Sequence, residues 1–444
     1  MIPINIINGD CLEVLKTFPA NHFDSVVTDP PYGLSFMGKK WDHQVPAIEI
    51  WQEVLRVLKP GGHMLVACGT RTQHRMVVNI EDAGFEIRDV ITWHYGSGFP
   101  KSLDVSKAID KTLKAKRKVV GISKNGSGAQ SSKLQNHGKG DTGIGYMDGS
   151  GKEFEITAPA TEQAKHYNGY GTALKPATEF WTLCRKPLEG TVAQNVLKWG
   201  VGGLRINDCR VSLNGEEQPS GSAKRVFSAN GFNTENKKYG DNTTTPENGR
   251  YPANVIFDEF AGDLLDEQSG TLKSGKPSGV KKSTNGYHGN IMVGEPVTGF
   301  GDQGGASRFF YCAKAGKSER NKGLQDFEAK ESGVKNDSGR GFSESDPYKK
   351  VLNKNHHPTV KPVALMRYLV KLITPPGGEC LDPFAGSCST GIALVLEEMK
   401  GTLIEREAEY CDIGKARIAA WAVSPPFLKE GTEGVVVKQT SLDI

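Results

Sequence analysis

Strands alternating with helices at both ends of this 444-residue chain predict an α/β fold: a mostly parallel sheet, doubly wound in the Rossmann manner, with a large loop-rich insertion. Three observations carry the prediction. Short apolar strands alternate with amphipathic helices over the first hundred residues, and the alternation resumes after Pro362. Between these stretches the chain turns rich in glycine. Glycine supplies 53 of the 444 residues, a share of about 12% against a usual share of roughly 7%. Of the 53 glycines, 36 fall between Lys101 and Gly341, so the surplus belongs to the inserted segment and not to the ends.

The first half of the sheet reads as follows. Residues 2–8 form a strand ending at Gly9-Asp10, and residues 11–18 have helical spacing at Leu12 and Leu15. Residues 23–28 form a buried strand that runs into Asp29-Pro30-Pro31-Tyr32-Gly33. A helix over 48–58 places Ile48, Trp51, Val54, Leu55 and Leu58 on one face, and Lys59-Pro60-Gly61-Gly62 is expected to stop it before a strand over 63–68. A helix over 72–83 and a strand over 85–95 follow.

The pattern fails from 101 to 350, where Gly, Ser, Asn and Lys dominate. Ordered islands stand at 177–188, 196–211, 250–257 and 307–314. A disordered linker and an inserted domain both fit such a segment. The aromatic residues of the islands (Phe180, Trp181, Trp199, Phe309, Phe310, Tyr311) favour an insertion with a small core of its own. After Pro362 come a helix over 363–373, a break at Pro375-Pro376-Gly377-Gly378, a strand at 380–381 and a glycine-containing turn over 382–390. A helix over 391–399 and a strand over 400–404 ending at Glu405 complete the second half.

Composition excludes several classes. The chain is 37% hydrophobic, with no apolar run near the roughly 18 residues that a spanning helix needs. Its first ten residues lack the basic and apolar regions of a signal peptide. The expectation is a cytoplasmic protein without a membrane partner. The eight cysteines are scattered, with no CxxC pair and no histidine at ligand spacing, so buried thiols are expected and no metal. A net charge of +4 is compatible with a polyanionic partner but does not argue for one.

Two constellations carry chemistry. Strand, turn with Gly386, helix and strand with an acid at its tip is how α/β sheets hold a nucleoside: the turn admits the ligand to the backbone and the acid accepts from ribose hydroxyls, typically about 20 residues on. Glu405 stands 23 residues after Asp382. Asp29-Pro30-Pro31-Tyr32 at a strand's end is more specific. Prolines lack donors and fix φ, so their carbonyls point outward. An acidic oxygen beside a bare carbonyl matches the two hydrogens of an exocyclic amino group, and the Tyr32 ring offers a stacking face.

Asp29 to Tyr32, together with the turn Asp382-Pro383-Phe384-Ala385-Gly386-Ser387, resembles the S-adenosylmethionine-dependent DNA amino-methyltransferases, which modify exocyclic nitrogens of adenine or cytosine. The order is that of the circularly permuted β class: the catalytic motif first, a long target-recognition insertion, then His357-Pro358-Thr359-Val360-Lys361-Pro362 leading into the cofactor turn. Gly96-Ser97-Gly98-Phe99-Pro100-Lys101-Ser102 and Cys184-Arg185-Lys186-Pro187-Leu188 resemble phage- and prophage-borne members. The implied organisation is a catalytic half over 1–100, a loop-rich insertion over 101–175, a returning strand over 176–190, a target-recognition region over 191–350, a cofactor half over 351–424 and a tail over 425–444. The implied setting is a bacterial or phage-infected cell.

The resemblance also implies roles. Asp29 and the Pro30 carbonyl hold the target amino group, Pro31 completes the motif, and Tyr32 stacks on the base. Phe384 and Gly386 line the methionine part of the cofactor, with Asp382 and Ser387 of the same turn also on the cofactor, Glu405 binds the ribose, Asp10 and Cys11 meet the cofactor's adenine, and Thr359 and Lys361 lie near its carboxylate. At Cys388 the chain departs from the family's Gly-Ser-Gly, and a side chain there is expected to restrict backbone approach.

A base inside a duplex cannot reach such a pocket, so it must be flipped out at a cost of a few kcal/mol. Stacking worth roughly 1 to 3 kcal/mol offsets much of this; Trp41 and Trp93 are further stacking candidates. Lys114, Lys116, Arg117 and Lys118 read either as phosphate contacts or as a solvated face. Lys224-Arg225, Lys237-Lys238 and Lys281-Lys282 would add positioning contacts. Within the family, Asp at the first motif position leans toward N6-adenine. The alternatives are N4-cytosine, an RNA or protein amide substrate, and a DNA-binding protein without catalysis. Double-stranded DNA is the implied partner, and dimers are common in the family.

Overall fold

The computed structural model describes residues 3–34, 42–96, 98, 102–123, 154–212, 249–273, 303–313, 319–331, 352–422 and 436–441. The chain divides into two compact units: Met1–His94, Glu179–Phe327 and Thr359–Ile444 form the first, Tyr95–Thr178 and Glu328–Pro358 the second.

Among the described residues, ten strands of the first unit form one sheet: β1 (Pro3–Asn8), β2 (Phe23–Thr28), β3 (Leu58–Gly69), β4 (Glu86–His94), β5 (Thr178–Arg185), β6 (Val255–Asp258), β7 (Tyr311–Ala313), β8 (Glu379–Asp382), β9 (Lys400–Glu405) and β10 (Val436–Ser441). Their spatial order is β7-β6-β4-β5-β3-β2-β8-β9-β1-β10. The pairings from β3 through β2, β8, β9 and β1 to β10 are parallel, as are β4–β6 and β6–β7. Strand β5 runs antiparallel to β3. Helices α1 (Cys11–Lys16), α2 (Ile48–Val57), α3 (Gln73–Asp82), α4 (Val192–Trp199), α5 (Glu259–Ser269), α6 (Val363–Ile373), α7 (Ser389–Leu396) and α8 (Ala408–Ala422) belong to the same unit.

The central strands are continuous apolar runs because helices cover a parallel sheet on both faces. Phe23, Val26 and Val27 of β2 are fully buried, as are Met64 to Cys68 of β3. Helix α6 is apolar nearly all round, as befits an interior helix, with nine of its eleven residues buried. Each such large aliphatic side chain stabilises the fold by about 1.5 to 3 kcal/mol.

Three features depart from the expectations. Lys59-Pro60-Gly61-Gly62 does not end the second helix ahead of a separate strand; β3 begins at Leu58 and runs through it. Leu58 pairs with Phe23 and His63 with Ser25, so four residues bulge opposite Asp24. Gly61 takes φ +75° there, and Asn195 Nδ2 donates to the Pro60 carbonyl at 2.9 Å, which satisfies the displaced backbone. Next, the islands near 256 and 312 do not build a core of their own but extend the main sheet as β6 and β7, the sheet that also holds β5 with its fully buried Trp181. Last, residues 436–441 add a strand parallel to β1.

In the second unit, helix Val105–Thr112 stands beside an antiparallel pair, Lys118–Ser123 and Phe154–Ala158. Asp110 at the base of that helix accepts from Ala160 N, Thr161 N and Oγ1, and pairs with Arg117 at 2.7 Å. No helix among the described residues is long and apolar enough to cross a membrane.

Candidate active site

The carboxyl ends of β2, β8, β9 and β1 lie side by side, because these strands are neighbours and parallel. From β2 the chain proceeds to β3 on one side, and from β8 to β9 on the other. The β2/β8 boundary is thus the topological switch point, where open α/β sheets bind ligands. A side-chain bond ties the two strand ends together: Thr28 Oγ1 donates to Asp382 Oδ1 at 2.7 Å.

Past the end of β2, Asp29, Tyr32, Glu179 and Lys361 converge. Tyr32 Oη donates to Asp29 Oδ1 at 2.8 Å. Lys361 Nζ lies 2.9 Å from Tyr32 Oη, 2.8 Å from Glu179 Oε2 and 3.1 Å from Asp29 Oδ1. Burial disfavours the Lys361 ammonium, but the carboxylates of Asp29 and Glu179 outweigh it and hold its pKa above the ordinary lysine value. Asp29 Oδ2 makes no hydrogen bond among the described residues, and the Pro30 carbonyl accepts none there either. Among the described residues both acceptors are thus without a donor, Asp29 being partly exposed and Pro30 buried.

The backbone around this cluster is shaped by glycines. Gly33 takes φ +68°, and a Cβ there would lie 2.8 Å from Val45 N. Its amide and that of Leu34 donate to the buried carboxylate of Asp42 at 2.9 and 3.3 Å, which fixes the loop after the motif. Gly69 ends β3, and a Cβ on it would approach Tyr32 Cδ2 to 3.2 Å, so the missing side chain makes room for the ring.

At the end of β8 the turn carries a second set of groups. Asp382 is buried and accepts from Thr28, Thr390 and the Phe384 amide; burial pushes its carboxyl up to about 6 against those hydrogen bonds. Phe384 is partly buried, its ring 6.3 Å from that of Trp51. Gly386 N donates to Glu405 Oε2 and Glu407 N to Oε1, each at 2.8 Å. Burial pushes the Glu405 carboxyl up to about 7. Asp10 caps α1, accepting from Leu12 N at 3.0 Å, and Cys11 is buried behind it.

Some expected residues have other surroundings. Ser387 faces inward, where its carbonyl and hydroxyl accept from Nη1 of the buried Arg417. Thr359 is exposed, whereas Lys361, expected beside a cofactor carboxylate, has its ammonium on the Asp29–Tyr32–Glu179 cluster. Cys388 occupies the left-handed region at φ +59°, where glycine is usual. Its thiol is turned away from the turn's open side into α8, where a Cβ on Gly414 would collide with it. The lack of a side chain at Gly414 accommodates the cysteine.

In the second unit, Lys114, Lys116 and Lys118 are exposed, while Arg117 is pinned by Asp110, Ser106 and Thr157. Trp93 is buried in the first unit. Trp41, Ser97, Phe99 to Lys101, Lys224-Arg225, Lys237-Lys238 and Lys281-Lys282 lie outside the described residues. Sequence reasoning missed Glu179, Asp42 and Arg417. Glu179 sits opposite Gly69 because β5 is antiparallel, which brings that strand's beginning to the sheet's carboxyl edge.

A family model described as DNA methylase, of the N6/N4 type, matches residues 23–416. The chain belongs to that DNA methylase family. Among relatives of the methylase, the DNA adenine methyltransferase YhdJ of Escherichia coli (strain K12) is 40% identical over 63 residues, covering 14% of this chain and 21% of that protein. Type II methyltransferase M2.MboI of Moraxella bovis is 36% identical over 85 residues, 19% of this chain and 30% of that protein. The methylase thus matches well under half the length of these relatives. Among solved structures, PvuII DNA methyltransferase (cytosine-N4-specific) aligns over 98% of this chain and 89% of its own at 13% identity and a TM-score of 0.40.

Proposed function

We propose that this DNA methylase transfers a methyl group from S-adenosylmethionine to the N6 amino group of an adenine flipped out of duplex DNA. The observation that carries the reading is the pair of acceptors with no donor among the described residues, Asp29 Oδ2 and the Pro30 carbonyl, at the switch point beside the glycine turn. Asp29 at the first motif position supports adenine over cytosine, as does the kinship with a relative named an adenine methyltransferase.

The groups at the turn fit the donor. Each Glu405 oxygen takes one backbone N–H and keeps acceptor capacity for ribose hydroxyls. Phe384 offers an apolar face, and the exposed Asp10 with Cys11 stands at the neighbouring strand end. The bound cofactor supplies an activated methyl group on a sulfonium, so the protein provides orientation and electrostatics.

The amino nitrogen is a poor nucleophile while its lone pair is delocalised into the base. Asp29 Oδ2 and the Pro30 carbonyl accept its two hydrogens, which favours pyramidalisation and stabilises the positive charge that develops on nitrogen. Aligning the nitrogen with the methyl carbon lowers the barrier by about 7 to 11 kcal/mol in a well-oriented case. Asp29 Oδ2 then stands nearest to receive the proton that the methylated nitrogen loses. Tyr32, held at its hydroxyl, presents its ring for stacking.

Labelled-methyl transfer with duplex DNA, RNA and protein offered together tests the substrate class. Label is expected in duplex DNA; label confined to RNA or protein would reject the reading.

A further inference from the structure

We infer that Glu179 is a positioning residue of the methyl-transfer centre: by taking one hydrogen of the Lys361 ammonium, it keeps that cation from closing over the acceptor edge of Asp29. The inference rests on the role proposed for Asp29. An ammonium has three hydrogens, and here three acceptors surround it: Glu179 Oε2 at 2.8 Å, Tyr32 Oη at 2.9 Å and Asp29 Oδ1 at 3.1 Å. Lys361 is almost fully buried, with 8% of its side chain exposed, so water cannot stand in for a lost partner. Without the Glu179 carboxylate the cation has one anionic neighbour, and the attraction draws it toward both oxygens of Asp29. That occupies the edge that must face the amino hydrogens.

The charge count supports the same role. Two carboxylates and one ammonium leave the cluster at −1. A centre of that sign favours the positive charge that develops on the amino nitrogen as the methyl group is transferred. A lone Asp29–Lys361 pair is neutral and loses this bias. Register explains why Glu179 can serve: it pairs with Gly69 at the end of β3, and that glycine adds no side chain between Glu179 and the Tyr32 ring.

The test compares the wild type with Glu179→Gln and Glu179→Asp, reading kcat, KM for a target duplex, cofactor Kd and melting temperature. Glu179→Gln is expected to lower kcat by about tenfold to a hundredfold, with Kd for S-adenosylmethionine within about twofold. Glu179→Asp keeps the carboxylate and retains more of kcat. Because Glu179 helps to keep Lys361 protonated, the kcat lost in Glu179→Gln is expected to recover in part at alkaline pH, where a neutral Lys361 is no longer drawn over Asp29, at pH values where the wild type is flat. Full kcat in Glu179→Gln, or equal losses in both variants with no change of pH profile, would overturn the inference while wild-type activity on DNA leaves the proposed function standing. A wild type that transfers no methyl group to DNA would remove both.

Discussion

Asp29 and Glu405 illustrate how burial and partner choice prepare single side chains for opposite tasks. Among the described residues Asp29 has one oxygen committed to Tyr32 and Lys361 and the other without a donor, so Asp29→Ala is predicted to remove methyl transfer while cofactor and DNA binding survive; equilibrium binding beside a turnover assay checks this. Glu405 behaves differently. Its carboxyl is raised from the ordinary 4.5 to about 7, so in the cofactor-free protein it binds a proton that the unfolded chain has released. Between those values this group's contribution makes stability fall as pH rises. Ribose hydroxyls donate best to the ionised form. Cofactor Kd is therefore predicted to rise as pH drops below about 7, approaching tenfold per unit, whereas Glu405→Gln flattens the dependence. Isothermal titration between pH 5 and 8 measures it, and a pH-independent Kd in the wild type would contradict the assignment.

Helix α8 shapes the turn after β8 from behind. Gly414 leaves room for Cys388, and Arg417, one turn later, holds the Ser387 carbonyl and hydroxyl. The left-handed conformation at Cys388 costs on the order of 1 to 3 kcal/mol for a non-glycine residue, and it persists because this helix fixes the turn. Gly414→Ala is predicted to push the turn outward and weaken cofactor binding by about tenfold, and Cys388→Gly in the same chain to restore it, since the collision then disappears. Measuring Kd for the two single variants and the double variant gives the coupling; additive effects would show that the two positions act separately. Neither Gly414 nor Arg417 is conspicuous in sequence, because a glycine and an arginine in a helix gain meaning only from the turn they touch.

Across the whole molecule, most of the sheet was legible. Apolar runs bounded by glycine and proline located β1, β2, β8 and β9, and helix α6 has the bounds that periodicity predicts. What escaped has a common physical cause, namely pairing between distant segments. Pro60-Gly61-Gly62 looks like a terminator, yet a bulge opposite Asp24 carries β3 through it. Islands near 256 and 312 look like a separate core, yet their strands find partners on the main sheet. The motif Asp29 to Tyr32 was visible, but Glu179 and Lys361 stand 182 residues apart in the chain and meet only once the sheet forms.

Mass analysis of nucleosides from DNA of cells expressing the wild type or Asp29→Ala tests the central claim most directly. The account predicts N6-methyladenine with the wild type and none above background with Asp29→Ala. N4-methylcytosine alone, or undiminished N6-methyladenine in the variant, would contradict it.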